Sequence, residues 1–250
     1  MAMALWAQVA LVARVNFLSA FVQAGTGFGY ALVAMPLMAL FLPMASCSAI
    51  SALTIVAIGF QMSLKLKSNV KASTILLPML CCLATINVGL WLLARFNELV
   101  LRVILSGLLV VVTAISFAMR RTMRTGMYHK WPFAVVAGLL TGLSAGMFNV
   151  VGPFLLLYYL NVCDDTLHLK ASLESSFLLA GLYASAMHLF VYRTINASVA
   201  PHVAASLAAA LGAGFLGLNV YKKLKRDVIA RLVYILLPVM ALILVLNSVG

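Results

Sequence analysis

Apolar residues run through this chain in stretches long enough to cross a membrane, separated by short polar segments. The first stretch, residues 3–43, is almost entirely apolar. As one helix it would be about 60 Å long, roughly twice the thickness of the hydrocarbon core, at about 1.5 Å per residue. The chain must therefore fold back. The cluster Gly25-Thr26-Gly27-Phe28-Gly29 predicts a turn between arms at residues 5–24 and 30–42.

The remaining apolar stretches predict six single spans and a second broken run. Residues 132–160 are interrupted between Asn149 and Pro153, and each arm is shorter than the roughly 20 residues that a perpendicular spanning helix needs. This run fits either a re-entrant hairpin or two tilted half-helices. The single spans are expected at residues 46–64, 74–93, 99–118, 170–192, 198–219 and 229–249.

The composition supports a membrane protein over a soluble enzyme. Of 250 residues, 65% are hydrophobic and 9% are charged, and the apolar stretches leave no region for a soluble catalytic domain. We therefore expect an all-α polytopic membrane protein with a single membrane domain over residues 1–250. The four cysteines have no metal-ligand spacing and form no evident disulfide framework, so no metal or other cofactor is predicted. No cleaved signal peptide is expected.

The formal net charge of +12 indicates membrane topology rather than nucleic-acid binding, because most Lys and Arg residues lie between apolar stretches. The basic loops at residues 65–71 and 120–130 are both predicted to face the cytoplasm. The basic loop at residues 222–226 lies inside if residues 132–160 turn back, and outside if they cross once. We prefer the first arrangement, which places both termini outside.

This charge distribution predicts two inverted-topology repeats, each with a Gly/Pro-broken hairpin plus three transmembrane helices. Repeat one covers about residues 1–119, the cytoplasmic basic loop about 120–131, and repeat two about 132–250. A weak internal similarity agrees with this division. Its matching positions, equally spaced in each half, are Gly25, Gly29 and Pro36, and Gly142, Gly146 and Pro153.

The paired breaks predict a binding site for an anion. Discontinuous membrane helices aim their N-termini at the middle of the membrane, where unpaired N–H groups and a partial positive charge attract anions. Hydroxyl and amide side chains at the breaks add donors. The candidate substrate-binding residues are Gln23, Gly25, Thr26, Gly27, Gly29, Ser144, Asn149 and Gly152.

Close helix packing is the alternative explanation for these glycines. Gly138, Gly142 and Gly146 are spaced by four residues, as in interfaces of small residues, and we favour packing for them. Gly25, Gly27 and Gly29 are spaced by two, which does not define one helical face, so for them we favour a site.

The two glycine segments resemble those of the TauE/SafE-type sulfite exporters, also called the toluene-sulfonate uptake permease family. The segments are FVQAGTGFGYALVAMPL at residues 21–37 and GLSAGMFNVVGP at residues 142–153, so the resemblance covers nearly the whole chain. It implies a secondary transporter of small anions, often sulfur-containing ones such as sulfite or organosulfonates. The family often has Gly-Gly-Pro where this chain has Val151-Gly152-Pro153. A cation commonly occupies the position of Lys170 in the family, which makes Lys170 a candidate anion contact.

Ionisable residues within apolar spans are further candidates. Arg14 either extends along its own helix to the interface or binds the anion. Lys170 and Glu174 are one helical turn apart and form either an interfacial pair or part of the site. Glu174 or His188 is a candidate for proton coupling, His188 because histidine titrates near physiological pH. Helix contacts or lipid-interface positions are expected for Asn87, Tyr30 and Tyr158.

The function predicted from these features is a secondary transporter of a small anion that works by alternating access around the two breaks. The alternatives are an anion channel lined by the same helices and a membrane enzyme acting on lipid, for which no catalytic constellation is visible. The expected partners are the anion and membrane lipid, without nucleic acid, and a homo-oligomer is left open. The expected location is the inner (plasma) membrane of a bacterium.

Overall fold

The computed structural model describes residues 4–66, 69–122, 131–163 and 165–221, together with residue 239. These ranges contain nine α-helices and one π-helical segment, with no β-strand among them. The helices are α1 (Leu5–Thr26), α2 (Tyr30–Met38), α3 (Met44–Leu66), α4 (Ala72–Arg95), α5 (Glu98–Thr122), α6 (Trp131–Phe148), α7 (Gly152–Val162), α8 (Thr166–Ala186) and α9 (Ala200–Tyr221). The π-helix Met187–Val191 continues α8.

Five of the described helices contain stretches long and apolar enough to cross a membrane: Leu5–Ala24, Met44–Leu64, Ala72–Arg95, Glu98–Ile115 and Trp131–Phe148. Two shorter apolar helical stretches, Gly152–Val162 and Ala200–Leu216, accompany them. The protein is therefore an all-α polytopic membrane protein, as the hydrophobic pattern predicts. The predicted span at residues 229–249 and the basic loops at 120–130 and 222–226 lie largely or wholly outside the described residues.

The first broken run turns back on itself at the glycine cluster. Gly27, with a φ of 80°, ends α1 by donating its backbone N–H to the carbonyl of Gln23 at 2.7 Å. Farther along, the Asn16 side chain in α1 donates to the Met38 sulfur in α2 at 3.5 Å. In one straight helix those two residues would lie about 33 Å apart. The predicted hairpin is therefore present in the first half.

The second broken run also turns back. Asn149, with a φ of 56°, ends α6 by donating its backbone N–H to Ala145 at 2.8 Å. The rings of Phe133 in α6 and Tyr158 in α7 lie 6.2 Å apart between centroids, a contact that two collinear half-helices could not make. Of the two alternatives for residues 132–160, the structure has the hairpin.

Acidic side chains cap two of the full helices, one from the adjacent residue and one from a distant helix. The Asp165 carboxylate accepts the backbone N–H of His168 at 2.7 Å at the start of α8. The Glu98 carboxylate, at the start of α5, accepts the backbone N–H of Met44 at 3.1 and 3.2 Å at the start of α3. Both carboxylates lie at helix N-termini, where the helix dipole stabilises negative charge.

The helices pack in a pattern that is unchanged when the two halves are exchanged. The most extensive packing is between α4 and α6, between α1 and α9, and between α3 and α8. The halves can be matched as α1 with α6, α2 with α7, α3 with α8 and α4 with α9. This matching converts the α4–α6 contact into the α1–α9 contact and leaves the α3–α8 contact unchanged. These contacts therefore have an approximate two-fold arrangement, in which the helices of each half take the place of those of the other.

The glycine spacing from the sequence does not align these halves. Pro36 lies inside α2, whereas Pro153 lies in the first turn of α7. Gly27 ends α1 as Asn149 ends α6, so these two residues are equivalent. Likewise, Tyr30 begins α2 as Gly152 begins α7. The equal spacing of the two glycine and proline triplets is therefore not a guide to equivalent positions.

Three glycines of α6 serve helix packing, as their spacing predicts. A β-carbon at Gly138, Gly142 or Gly146 would overlap backbone carbonyl oxygens of α4. Gly89 of α4 approaches α6 equally closely from the other side. The two backbones are therefore in direct contact, which is how small residues stabilise helix pairs in membranes.

Candidate functional site between the two hairpin tips

A small cavity lies where the tips of the two hairpins meet. Its volume is about 10 Å³, room for about one water molecule. Residues of the two tips supply most of its wall, and α1, α3 and α8 contribute the rest. The lining residues are Gln23, Gly29, Tyr30, Ala31, Leu32, Ile55, Asn149, Val150, Val151, Gly152, Pro153 and Phe177.

Two helix N-termini face this cavity. The first turn of α2 begins at Tyr30 and that of α7 at Gly152, and neither terminus has a side-chain cap. The first N–H groups of a helix have no acceptor within the helix, and its N-terminus carries a partial positive charge. Pro153 removes one of these donors from α7. The cavity wall is therefore suited to a negatively charged ligand.

The hairpin tips contact each other beside the cavity. A β-carbon at Gly152 would lie 3.0 Å from Cβ of Phe28, in the first tip, and 3.2 Å from Cζ of Phe177 on α8. Only a residue without a side chain fits there without displacing its neighbours. The Gly-Pro pair of the second half thus allows the two tips to approach closely.

Behind the cavity, a buried carboxyl group contacts the first hairpin. Gln23, which is buried and lines the cavity, donates from Nε2 to Oε2 of Glu174 at 3.4 Å. Glu174 has no solvent-accessible surface, and its Oε1 has no hydrogen-bond partner among the described residues. Glu174 is therefore surrounded by protein rather than exposed on the surface of α8.

Lys170 lies one turn before Glu174 and covers the end of α1. Its Nζ donates to the carbonyl oxygen of Ala24 at 3.4 Å. Its Cγ lies 3.9 Å from the place where Gly27 would carry a β-carbon. The ammonium group thus lies at a helix C-terminus, where the dipole favours a cation. It is beside the first tip but not in the cavity wall.

At the second tip, the side chain of Asn149 binds α3 in a buried polar chain. Asn149 Nδ2 donates to the Ser48 carbonyl at 2.8 Å and to Ser48 Oγ at 3.0 Å. Ser48 Oγ is 3.1 Å from His188 Nε2, and His188 Nδ1 is 2.7 Å from Thr194 Oγ1. His188 lies in the π-helix, an element often found at functional sites. This series of hydrogen-bonded side chains extends from the cavity wall to the far end of α8.

The two tips make corresponding contacts with the opposite half. Gly27 meets Lys170 of α8, and Asn149 meets Ser48 of α3. In sequence, Gly27 and Asn149 are separated by the same number of residues as Ser48 and Lys170. These four residues therefore occupy equivalent places in the approximate two-fold arrangement.

Comparison with known families identifies the chain. The family model described as Sulfite exporter TauE/SafE matches residues 12–244. The chain belongs to the TauE/SafE sulfite exporter family. Its members are transporters, in agreement with the apolar helices described above, so the protein is an integral membrane protein of a transporter family. Comparisons with curated proteins and with solved structures gave no match.

Ser144 and Arg14, two further candidates of this TauE/SafE protein, are not among the described residues that line the cavity. The Ser144 hydroxyl donates to the carbonyl of Val150 at 2.7 Å and so holds the turn between α6 and α7. Arg14 lies on the exposed face of α1. Of Gly25 and Thr26 the structure describes only that they belong to the last turn of α1; the surroundings of their side-chain positions lie outside the described residues.

Two predicted helix contacts of this family member are present. Asn87 of α4 donates to the Tyr183 hydroxyl of α8 at 2.7 Å. Tyr30 donates to the side-chain oxygen of Asn16, which holds the first hairpin together. Within the described ranges, no three His, Cys, Asp or Glu side chains lie close enough together to hold a metal ion.

Sequence reasoning about this TauE/SafE protein missed Ser48, Thr194 and Phe177. Nothing distinguishes Ser48 from the other small polar residues of α3, such as Ser51, because only the fold brings it to Asn149. Phe177 follows Glu174 by about one helical turn, so its place on the same face of α8 was available from helix periodicity.

Proposed function

We propose that this TauE/SafE protein is a secondary transporter of a small anion, a sulfur oxyanion or organosulfonate such as sulfite. The observation that carries the proposal is that the N-termini of α2 and α7 face one cavity, with the Gln23 amide beside them. An oxyanion there would receive several N–H donors without a fixed ion pair. Such a ligand can be released as well as bound, which a carrier requires.

The size of the cavity supports a carrier that alternates between two open states. A space for about one water molecule is too small for an oxyanion, so the tips must separate before the ligand enters. The approximate two-fold arrangement provides two related ways of separating them. We propose that the halves are inverted repeats and that each opening exposes the cavity to one side of the membrane. A channel would need a continuous path, which a space of this size does not provide.

The proposed setting is the inner membrane of a bacterium. Both termini lie outside, and each hairpin returns to the side from which it started. With that topology α6 and α7 enter from the cytoplasm, whereas α1 and α2 enter from outside. The two tips then approach the middle of the membrane from opposite sides.

The test is binding and flux with purified protein. Thermal unfolding is measured against sulfite, thiosulfate, sulfate, small sulfonates and small carboxylates, and the ligand that stabilises the protein is then used for flux into proteoliposomes. A ligand at a hundredfold its Kd adds about 2.7 kcal/mol to the apparent stability. Saturable uptake of a sulfur oxyanion supports the proposal.

The site is tested with a matched pair of glutamine substitutions. Gln23→Leu removes the amide donor in the cavity wall and is expected to weaken binding about tenfold, the loss of one hydrogen bond to a charged ligand. Gln61→Leu makes the same chemical change on α3, outside the cavity wall, and should leave affinity unchanged. Equal effects of the two variants would place the binding site elsewhere. Single-channel currents would favour the channel, and lipid hydrolysis or transfer the enzyme.

A further inference from the structure

Glu174 is unusual among the acidic residues of the chain. There are five Asp and Glu residues, and four of them lie at helix ends or outside the described residues. Glu98 begins α5, Asp165 precedes α8 next to Asp164, and Asp227 is outside the described part. Among the acidic residues that the structure describes, Glu174 alone lies in the interior of a helix, two turns from the start of α8, and it is fully buried. A carboxyl group buried in this way is costly unless it is paired, so it is a candidate for function.

The surroundings of Glu174 provide few groups to stabilise a negative charge. From α1 the facing group is the uncharged amide of Gln23, at 3.4 Å, and from α8 itself it is Lys170. Among the described residues, no other charged or titratable side chain of α1, α3, α4, α6 or α7 acts on the carboxyl group. Oε1 has no hydrogen-bond partner among them, so an ionised Glu174 in this conformation depends on the charge of Lys170.

The charged groups occur at only one of the two tips. Gly27 and Asn149 define the sequence separation between equivalent positions of the two halves. By that separation, Ala145 is the equivalent of Gln23, and Ala52 is the equivalent of Glu174. Both alanines are buried, so the second tip has no carboxyl group where the first has one. A packing role common to both halves would not produce this difference. A function that needs one such group per transporter would produce it.

We propose that Glu174 is the proton-binding group that couples anion transport to proton transport. This inference rests on the proposed function and concerns the same site. With Glu174 ionised, its charge balances that of Lys170, and the empty centre is neutral. With Glu174 protonated, the Lys170 charge is available to balance a bound monoanion, and the loaded centre is again neutral. Both neutral states can pass through the closed conformation, because neither carries a net charge into the low-dielectric interior.

The consequence is that one proton and one anion cross together. The carboxyl group takes the proton from water on the side where the anion enters and releases it to water on the side where the anion leaves. By thermodynamic reciprocity, proton binding tightens anion binding and anion binding tightens proton binding. The gradients of the two ions then set the direction of net movement.

The test compares wild-type protein with Glu174→Gln in proteoliposomes, using radiolabelled sulfite as the probe. Glutamine resembles the protonated carboxyl group in shape and charge but cannot release a proton. One readout is accumulation driven by an acidic exterior; the other is exchange of labelled for unlabelled sulfite at equal pH. The matched control is Glu98→Gln, because Glu98 is an exposed carboxylate that caps α3.

Wild-type protein and Glu98→Gln are expected to accumulate sulfite in response to the pH gradient. Glu174→Gln should accumulate at least about tenfold less sulfite than wild type. Its exchange rate should stay within about threefold of wild type, because exchange needs no net proton movement. Accumulation by Glu174→Gln equal to wild type would overturn the inference. The inference would also be overturned if wild-type protein exchanged sulfite at equal pH but did not accumulate it in response to a pH gradient. Neither result would contradict the proposed function as an anion transporter. That proposal is contradicted only if wild-type protein neither binds nor exchanges the tested anions.

If Glu174→Gln no longer exchanges sulfite, a binding measurement tests whether Glu174 couples proton binding to anion binding. The apparent affinity of purified wild-type protein for sulfite should fall with rising pH, by up to about tenfold per pH unit. Sulfite itself takes up a proton near neutral pH, so the wild-type profile is compared with that of the variant, in which only this contribution remains. A steeper wild-type profile supports coupling through Glu174, and parallel profiles overturn it.

Discussion

Gly27 and Asn149 end their helices in the same left-handed backbone conformation, with φ values of 80° and 56°. Each donates its backbone N–H to the carbonyl four residues earlier, at 2.7 and 2.8 Å. The chain then turns and starts a second helix whose first turn faces the shared cavity. Glycine adopts this conformation without cost, whereas an asparagine there needs compensation from its contacts. Ser48 provides that compensation for Asn149.

Replacing Gly27 is therefore expected to destabilise the first tip. Gly27→Ala puts a β-carbon on a left-handed residue and should lower the free energy of unfolding by about 1 kcal/mol. Thermal unfolding in detergent measures this. Gly107→Ala is the matched control, because Gly107 is an exposed helical residue with open space around it, and its replacement should be neutral or stabilising. The larger Gly27→Leu should abolish transport while the protein still inserts.

The buried chain from Asn149 to Thr194 should depend on Ser48. Ser48→Ala leaves His188 Nε2 without its hydrogen-bond partner, at a cost of about 1–3 kcal/mol. A double-mutant cycle with His188→Leu should show a coupling energy above about 0.5 kcal/mol. Ser63→Ala serves as the control on the same helix, because the Ser63 hydroxyl has no partner among the described residues. Additive effects of Ser48→Ala and His188→Leu would show that their contact contributes nothing.

Close packing of α4 and α6 makes a third prediction. Gly142→Ala would bring a methyl group into the backbone of Cys82 and the side chain of Thr85. The helices must then separate, and we expect a loss of about 1–3 kcal/mol and a lower yield of monodisperse protein on size exclusion. Gly212→Ala on α9 meets no atom within 4 Å and should behave as wild type. Equal stability of the two variants would contradict the packing described for α6.

The proposed topology is tested by labelling single cysteines from either side of the membrane. In a background without Cys47, Cys81, Cys82 and Cys163, a membrane-impermeant thiol reagent should reach Lys71→Cys only from the cytoplasmic side. It should reach Asn97→Cys only from outside, because α4 lies between the two positions. The reverse result would invert the whole arrangement. Labelling of both positions from the same side would contradict a membrane crossing by α4.

The helices themselves could be predicted from the sequence because each depends on a local property. A membrane interior contains no water to satisfy the backbone, so an apolar run of sufficient length must be helical. The residue ranges predicted for α3, α4 and α5 agree closely with the observed Met44–Leu66, Ala72–Arg95 and Glu98–Thr122. The position of the first turn followed from glycine, which adopts left-handed conformations that other residues avoid.

The partners of the polar residues could not be predicted in this way. Gln23 and Glu174 come from different halves of the chain, as do Asn149 and Ser48, and no local pattern links them. Ser144 shows the same limit, because its hydroxyl was expected in the site and instead binds the carbonyl of Val150. The equal spacing of the glycine triplets was misleading because small residues also serve helix packing.

The sequence by itself determined that this is an all-helical membrane protein of the TauE/SafE family with a break in each half, because hydrophobic length and backbone flexibility are properties of short segments. Only the tertiary structure decided that the second break is a hairpin rather than two tilted half-helices, that two helix N-termini share one small cavity, and that Glu174 is buried behind Gln23. Those relationships depend on how distant helices pack. Packing is set by side-chain shape over the whole fold rather than by the order of residues in any one segment.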